Sequence, residues 1–197
     1  MLTLTYALVA LSVEQKKVQS SVSELQHRMQ REKSRGVLAD QRNFESLLTQ
    51  FKLLDEACGV RNIELYVLPA IRSATSDADG LLADLDALSS MGRIILKNVG
   101  ARVRTAISQG EFEVDDLCNS LDIYCQQLLK RLAMEELQLL PIAQRVISGD
   151  EWFDIAAQFI SHETERHPKA FEQGLDIPVP AHVTGYKQQG NAAAAAV

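Results

Sequence analysis

Residues 124–152 read YCQQLLKRLAMEELQLLPIAQRVISGDEW, and the period of that stretch decides the fold class. Tyr124, Leu128, Arg131, Glu135, Leu139, Ile142 and Val146 recur at steps of three or four, continuing a stripe begun by Leu117 and Leu121. That spacing marks one face of a long helix and leaves no room for strand alternation. Two members of the stripe are charged. Gly149-Asp150 interrupts the period, and residues 152–162 read as a short fifth helix.

Three further segments upstream share the helical period. Residues 4–33 carry Leu8, Leu11, Val18, Val22, Leu25 and Met29, with the polar Gln15 in the gap between Leu11 and Val18. Gly36 suits a helix stop. The second segment starts near Ala39, carries Phe44, Leu47, Leu48, Phe51 and Leu54, and continues through Cys58-Gly59 towards Leu68-Pro69. A glycine inside a helix costs about 1 kcal/mol against alanine, so Gly59 marks a kink or a close approach between helices. After a turn at 73–79, with Ser76 or Asp77 as N-cap, the third segment presents Leu82, Leu85, Leu88, Ile95, Val99, Val103 and Ile107, and ends at Gln109-Gly110.

Four long helices with short connections predict an all-α, up-down-up-down four-helix bundle with a short C-terminal helix and an extended tail. The expected division is 1–165 for the bundle and short helix, and 166–197 for an extended or disordered arm containing Pro168, Pro178, Pro180, Gly185 and Gly190. The alanine run 192–196 is low in complexity and carries no functional reading.

Composition narrows the function classes. The formal net charge is -6 with no basic cluster, which argues against a nucleic-acid surface. The charged runs at 15–17 and 31–35 read as solvated helix faces and ends. No stretch is long and apolar enough to span a bilayer, and the apolar start has no Lys or Arg ahead of it, so neither a membrane anchor nor a signal peptide is expected. The odd cysteine count, Cys58, Cys118 and Cys125, points to reduced thiols and a cytoplasmic setting. Cys118 and Cys125 lie a heptad apart and read as small buried hydrophobes. Ser-His-acid order, phosphate loops and nucleotide fingerprints are absent from the sequence.

The 124–152 stretch resembles the last helix of hemerythrin-like (HHE) domains, in which a tyrosine, a histidine, paired acids, leucines with a proline, and a tryptophan follow in order. Glu135-Glu136, Leu139-Leu140-Pro141 and Trp152 match that order and spacing. A weaker copy, NIELYVLP at 62–69, stands at the end of the second helix, and Ser89-x-x-Gly92 fits the family's histidine-x-x-glycine. The resemblance covers about 11–159.

What the resemblance implies is a bundle around a non-haem di-iron centre that serves oxygen binding, redox sensing or iron handling. Carried over residue by residue, the ligand positions fall at Gln15, Gly59, Ile63, Ser89, Arg131 and Glu135, of which only Glu135 is a carboxylate. A guanidinium keeps its proton and cannot ligate metal. The expectation is therefore a degenerate site without cofactor, in which Arg131 holds Glu135 with Gln15 and Ser89 as hydrogen-bond partners. The alternative is a rotated fourth segment that leaves Arg131 and Glu135 as an exposed i,i+4 pair. The histidines present are His27, His162, His167 and His182. His27 reads as a surface residue, and His162 and His167, five apart, do not share a helical face.

The implied function is non-catalytic: a regulatory or protein-interaction module with a protein partner or a second copy of itself, and not an enzyme. Two rivals stand beside it. One is a non-haem iron oxygen or redox sensor with an altered site, using Glu64, Glu135, Glu136 and His27. The other is a small-anion binder that uses the vacated core through Arg131.

Overall fold

A computed structural model describes residues 2–35, 41–109 and 114–166. Helix α1 spans Leu2–Arg35. Helix α2 spans Gln41–Gly59, and after a break at Val60 and Arg61 the chain resumes as a π turn, Ile63–Val67, that leads into α3, Leu68–Ala74. Helix α4 spans Asp79–Gln109. Helix α5, Val114–Met134, passes into a second π turn, Glu135–Leu139, and then α6, Leu140–Val146. Helix α7 spans Gly149–Arg166. The chain divides into two units, Met1–Ile160 and Ser161–Val197, and the second is described only over the end of α7. The proposed helix stop at Gly36, the end of the third segment at Gly110, the arm beyond 166, and His167 and His182 lie outside the described residues.

The expected four-helix, up-down-up-down bundle of hemerythrin type is corrected to an all-α bundle of five helices, counting α2–α3 and α5–α6 as one interrupted rod each. The fifth is part of the core and not a cap. Trp152, Ile155, Ala156 and Phe159 of α7 are all buried, and the Phe159 ring lies 5.8 Å from that of Tyr66. A helix that buries four side chains along one stripe contributes several kcal/mol of apolar burial, at roughly 1.5–3 kcal/mol for each large one. Phe153, on the opposite face, is exposed. Ser148 and Glu151 form a reciprocal capping box: Glu151 Oε2 accepts from the Ser148 N–H (2.9 Å), and Ser148 Oγ accepts from the Glu151 N–H (3.3 Å). The Ser148 N–H and the Ser148 hydroxyl, which donates to Glu151 Oε2 at 2.7 Å, together hold the Glu151 carboxyl below its usual range.

The apolar core comes in two clusters. One gathers Val18, Val22, Leu25, Phe44, Phe51, Leu96, Val99, Leu121, Tyr124 and Leu132 among others. The second gathers Leu11, Ile63, Val67, Ile71, Leu82, Leu85, Leu139, Trp152 and Phe159 among others. Each long rod passes from one cluster to the other through polar or small residues: Gln15 between Leu11 and Val18, Arg61 between Leu54 and Ile63, Ser89 and Gly92 between Leu85 and Leu96, and Glu135 between Leu132 and Leu139.

Gly92 matters to that passage. A Cβ there would lie 3.2 Å from Cε2 of Tyr124, so the missing side chain lets α4 close on the ring. The same ring meets Phe51 edge-on at 5.7 Å and 87°.

Both π turns precede a Leu-Pro pair, and their last hydrogen bonds run from Leu68 N–H to Ile63 O and from Leu140 N–H to Glu135 O. Pro69 and Pro141 have no N–H to donate to the preceding turn and would crowd its carbonyl, so the widened turn accommodates the ring without ending the rod.

Candidate functional site

The polar layer between the two clusters is built from four charges. Arg61, Arg131 and Glu135 are 4%, 7% and 2% exposed. Arg61 grips Glu135 bidentately, Nη1 to Oε2 at 2.9 Å and Nη2 to Oε1 at 2.7 Å, and its Nη2 also donates to Glu64 at 3.1 Å. Arg131 donates from Nε to Glu135 Oε1 at 2.9 Å and from Nη2 to Glu64 Oε1. Two guanidinium groups and two carboxylates thus neutralise one another. A carboxylate taken alone into such a core would cost several kcal/mol, and the pairing is what makes its burial tolerable.

Local backbone explains how Arg61 gets there. Helix α2 ends at Gly59, and Arg61 Nε donates to the Cys58 carbonyl at 3.3 Å, capping the broken end. The freed N–H of Asn62 donates to Glu14 Oε2 of α1 at 3.0 Å. The Cys58 carbonyl and the Asn62 N–H are each satisfied by a side chain, and the Val60 N–H by the Ala57 carbonyl at 3.4 Å, which offsets hydrogen bonding lost at the break. Burial opposes the Arg61 charge, but the charge and hydrogen bonds of Glu135, followed by the influence of Cys58 and Glu64, outweigh it and hold the guanidinium firmly protonated.

The sequence-derived positions separate clearly. Arg131 and Glu135 face inward and pair, so the rotated, exposed alternative does not hold. Gln15 is buried but serves other partners: its Nε2 donates to the Leu132 carbonyl at 2.8 Å and to Glu136 Oε2 at 3.3 Å. Ser89 lines a neighbouring cleft and bonds neither Arg131 nor Glu135. Ile63 is buried in the second apolar cluster. Gly59 is exposed, with nothing within 4 Å of a Cβ placed there, so of its two expected roles it takes the break and not the close approach. His27 is exposed on α1, and Glu136 is exposed beside Gln15. Arg61 was missed, although it stands three residues before Glu64 and immediately before the 62–69 stretch singled out as a weaker copy of the 124–152 pattern. Its i,i+3 spacing to Glu64 was the available signal.

Beside this layer opens a cleft of about 200 Å³, whose walls include Asp55, Glu64, Ser89, Arg93, Tyr124 and Arg131. Tyr124 Oη donates to Asp55 Oδ1 at 3.3 Å. Burial raises the Asp55 carboxyl above its ordinary range, opposed by the Tyr124 hydrogen bond and by Arg93. Burial likewise pushes the Tyr124 hydroxyl up, and the negative charge of Asp55 adds to it. Cys58, also on the wall, is pushed up to about 11 by burial in spite of Arg61. Cys118 and Cys125 are buried and pushed up to about 11 and about 12 by the same cause. Thiols held so far up are poor nucleophiles near neutrality.

A di-iron centre does not fit the residues present. Both oxygens of Glu135 and Oε1 of Glu64 are bonded to guanidinium groups, and the positively charged Arg61 and Arg131 sit where a cation would be held. Among the described residues no group of three or more His, Cys, Asp or Glu gathers in a way that could hold a metal ion. No helix among them is long and apolar enough to cross a membrane.

No family model, curated protein or solved structure matches the chain. The hemerythrin-like and HHE assignment therefore has no support from relatives, and the five-helix architecture departs from it. What stands is an all-α domain.

Proposed function

We propose that this chain is a non-catalytic helical module that acts as a regulatory or protein-interaction part. The observation that carries this reading is the closed ion network of the core. Glu135 is buried with both oxygens held by Arg61 and Arg131, and the same two guanidiniums share Glu64 Oε1, so the buried Glu135 carboxylate is not free to act as a base or as a ligand. Chemistry at such a layer would first have to break a desolvated pair. The surface offers a complementary feature: Tyr6, Val9 and Val13 stand exposed at helical spacing on α1, an apolar stripe of the kind helical partners recognise.

A bare anion, the other use considered for an emptied core, would meet Asp55, Glu64 and Asp86 in the adjoining cleft as well as Arg93 and Arg131, and the geometry does not favour it. The altered iron sensor would need Glu64, Glu135 and Glu136 to exchange guanidinium and amide partners for metal and His27 to leave the surface.

Elemental analysis of the full chain, purified without chelators, tests the reading. The expected result is metal far below one ion per chain in protein that is helical by circular dichroism. A stoichiometric pair of irons, with absorbance that changes on oxygenation, overturns it.

A further inference from the structure

The cleft beside the ion layer has a charge pattern of its own. Arg131 lines it, and while Nε and Nη2 are taken by carboxylates, Nη1 makes no hydrogen bond among the described residues and is not among the sealed-off atoms that lack a partner. Arg93 stands on the same wall. Facing these cations is Asp55, whose only hydrogen bond among the described residues is the long one to Tyr124 at Oδ1. Asp86, at the rim, is already paired with Arg72 at 3.0 Å.

Of the cleft's charged groups, Glu64 and Asp86 are already paired with arginines, which leaves one carboxylate, Asp55, and one guanidinium, Arg93, without an ion-pair partner among the described residues. A lone anion or a lone cation entering the cleft upsets that balance, whereas a molecule carrying both signs preserves it. Leu88, Leu128 and the Tyr124 ring supply apolar wall between the charged groups. The volume, about 200 Å³, is below the roughly 300–1,000 Å³ of sites for drug-sized ligands.

We infer that this cleft binds a small zwitterion of the α-amino-acid class, its carboxylate on Arg131 Nη1 and Arg93, its ammonium on Asp55, and its side chain against Leu88, Leu128 and Tyr124. The burial that holds the Asp55 carboxyl up is relieved by an ammonium partner, which supports the assignment of the cationic end. This inference does not depend on the protein-interaction reading, since it concerns a cleft and not the α1 surface.

Titration calorimetry of the full chain with L-leucine, L-methionine, N-acetyl-L-leucine and L-leucinamide tests it. The free amino acids are expected to bind and to raise the melting temperature. Capping either end is expected to weaken binding about tenfold or more, as the loss of one charge-assisted hydrogen bond does. Asp55→Asn should weaken L-leucine by about the same factor. Ser89→Trp, which fills the cleft from its wall, should abolish binding while circular dichroism stays helical. The inference is overturned if neither free amino acid binds at millimolar concentration, if a capped form binds as tightly as L-leucine, or if the helical Ser89→Trp chain still binds.

Discussion

The two interrupted rods, 41–74 and 114–146, differ in how they deliver charge to the same layer. Each carries a π turn followed by Leu-Pro, and each contributes one arginine and one glutamate. In the second rod the helix runs unbroken into its π turn, and Arg131 and Glu135 meet at i,i+4 through helical geometry alone. In the first, α2 stops at Gly59 and Arg61 enters the core from the break, held there by Glu135 across the bundle and by Cys58 behind it. One rod places its charge by local period. The other places it by a long-range partner and a backbone rearrangement that Glu14 of α1 completes.

The comparison breaks first at Glu135, which both arginines share. Glu135→Ala leaves Arg61 and Arg131 facing each other with Glu64 alone between them, and should cost about 3–5 kcal/mol, the toll for removing one member of a buried ion pair. Chemical denaturation measures it. A loss below about 1 kcal/mol would mean that water enters the layer and relieves both cations.

Asp55 of the first rod and Tyr124 of the second give a smaller, pH-dependent effect. Burial raises the Asp55 carboxyl, so the folded chain binds that proton more tightly than the unfolded chain. Ionised Asp55 therefore lowers stability above its folded pKa, and the penalty disappears as pH falls through that value towards the unfolded one. Asp55→Asn, which keeps an oxygen for Tyr124, should melt higher than wild type at pH 7, with the gap closing by about pH 4. A variant that melts lower at pH 7 would show that attraction from Arg93 and Arg131 outweighs desolvation.

The smallest effect sharpens the account of the break itself. Gly59 needs no left-handed backbone and has open space around its missing Cβ. Gly59→Ala should raise stability by about 0.4–1 kcal/mol through the unfolded state, with the break unchanged. Destabilisation beyond about 1 kcal/mol would make the glycine, and not Arg61, the cause of the break.

Much of the molecule was legible from residue period. The stripes of 4–33 and 114–146 fell mostly on buried positions, and their odd polar members, Gln15, Arg131 and Glu135, are buried with them. The helix count was not: the fifth segment was expected as a short helix beside a four-helix bundle, and whether a short amphipathic helix stands outside a bundle or belongs to its core depends on what its apolar stripe meets. The family resemblance rested on Glu135-Glu136, Trp152, Ser89-x-x-Gly92 and the two Leu-Pro pairs. The two Leu-Pro pairs also answer to a local need, the accommodation of proline within a long rod by a π turn, so their recurrence does not require common descent.

By itself, then, the sequence determined helices, their inward faces and the presence of charge on those faces, since 3.6-residue periodicity is a property of consecutive residues. Only the tertiary structure decided that Arg61 joins Arg131, that Glu64 and Glu135 are shared between them, that Gln15 turns to Leu132 and Glu136, and that a balanced cleft opens at Asp55. The long-range bonds among them link residues 67 to 121 positions apart in the chain. Their choice follows from which desolvated charge has an opposite charge within reach, and that is settled only when the rods pack.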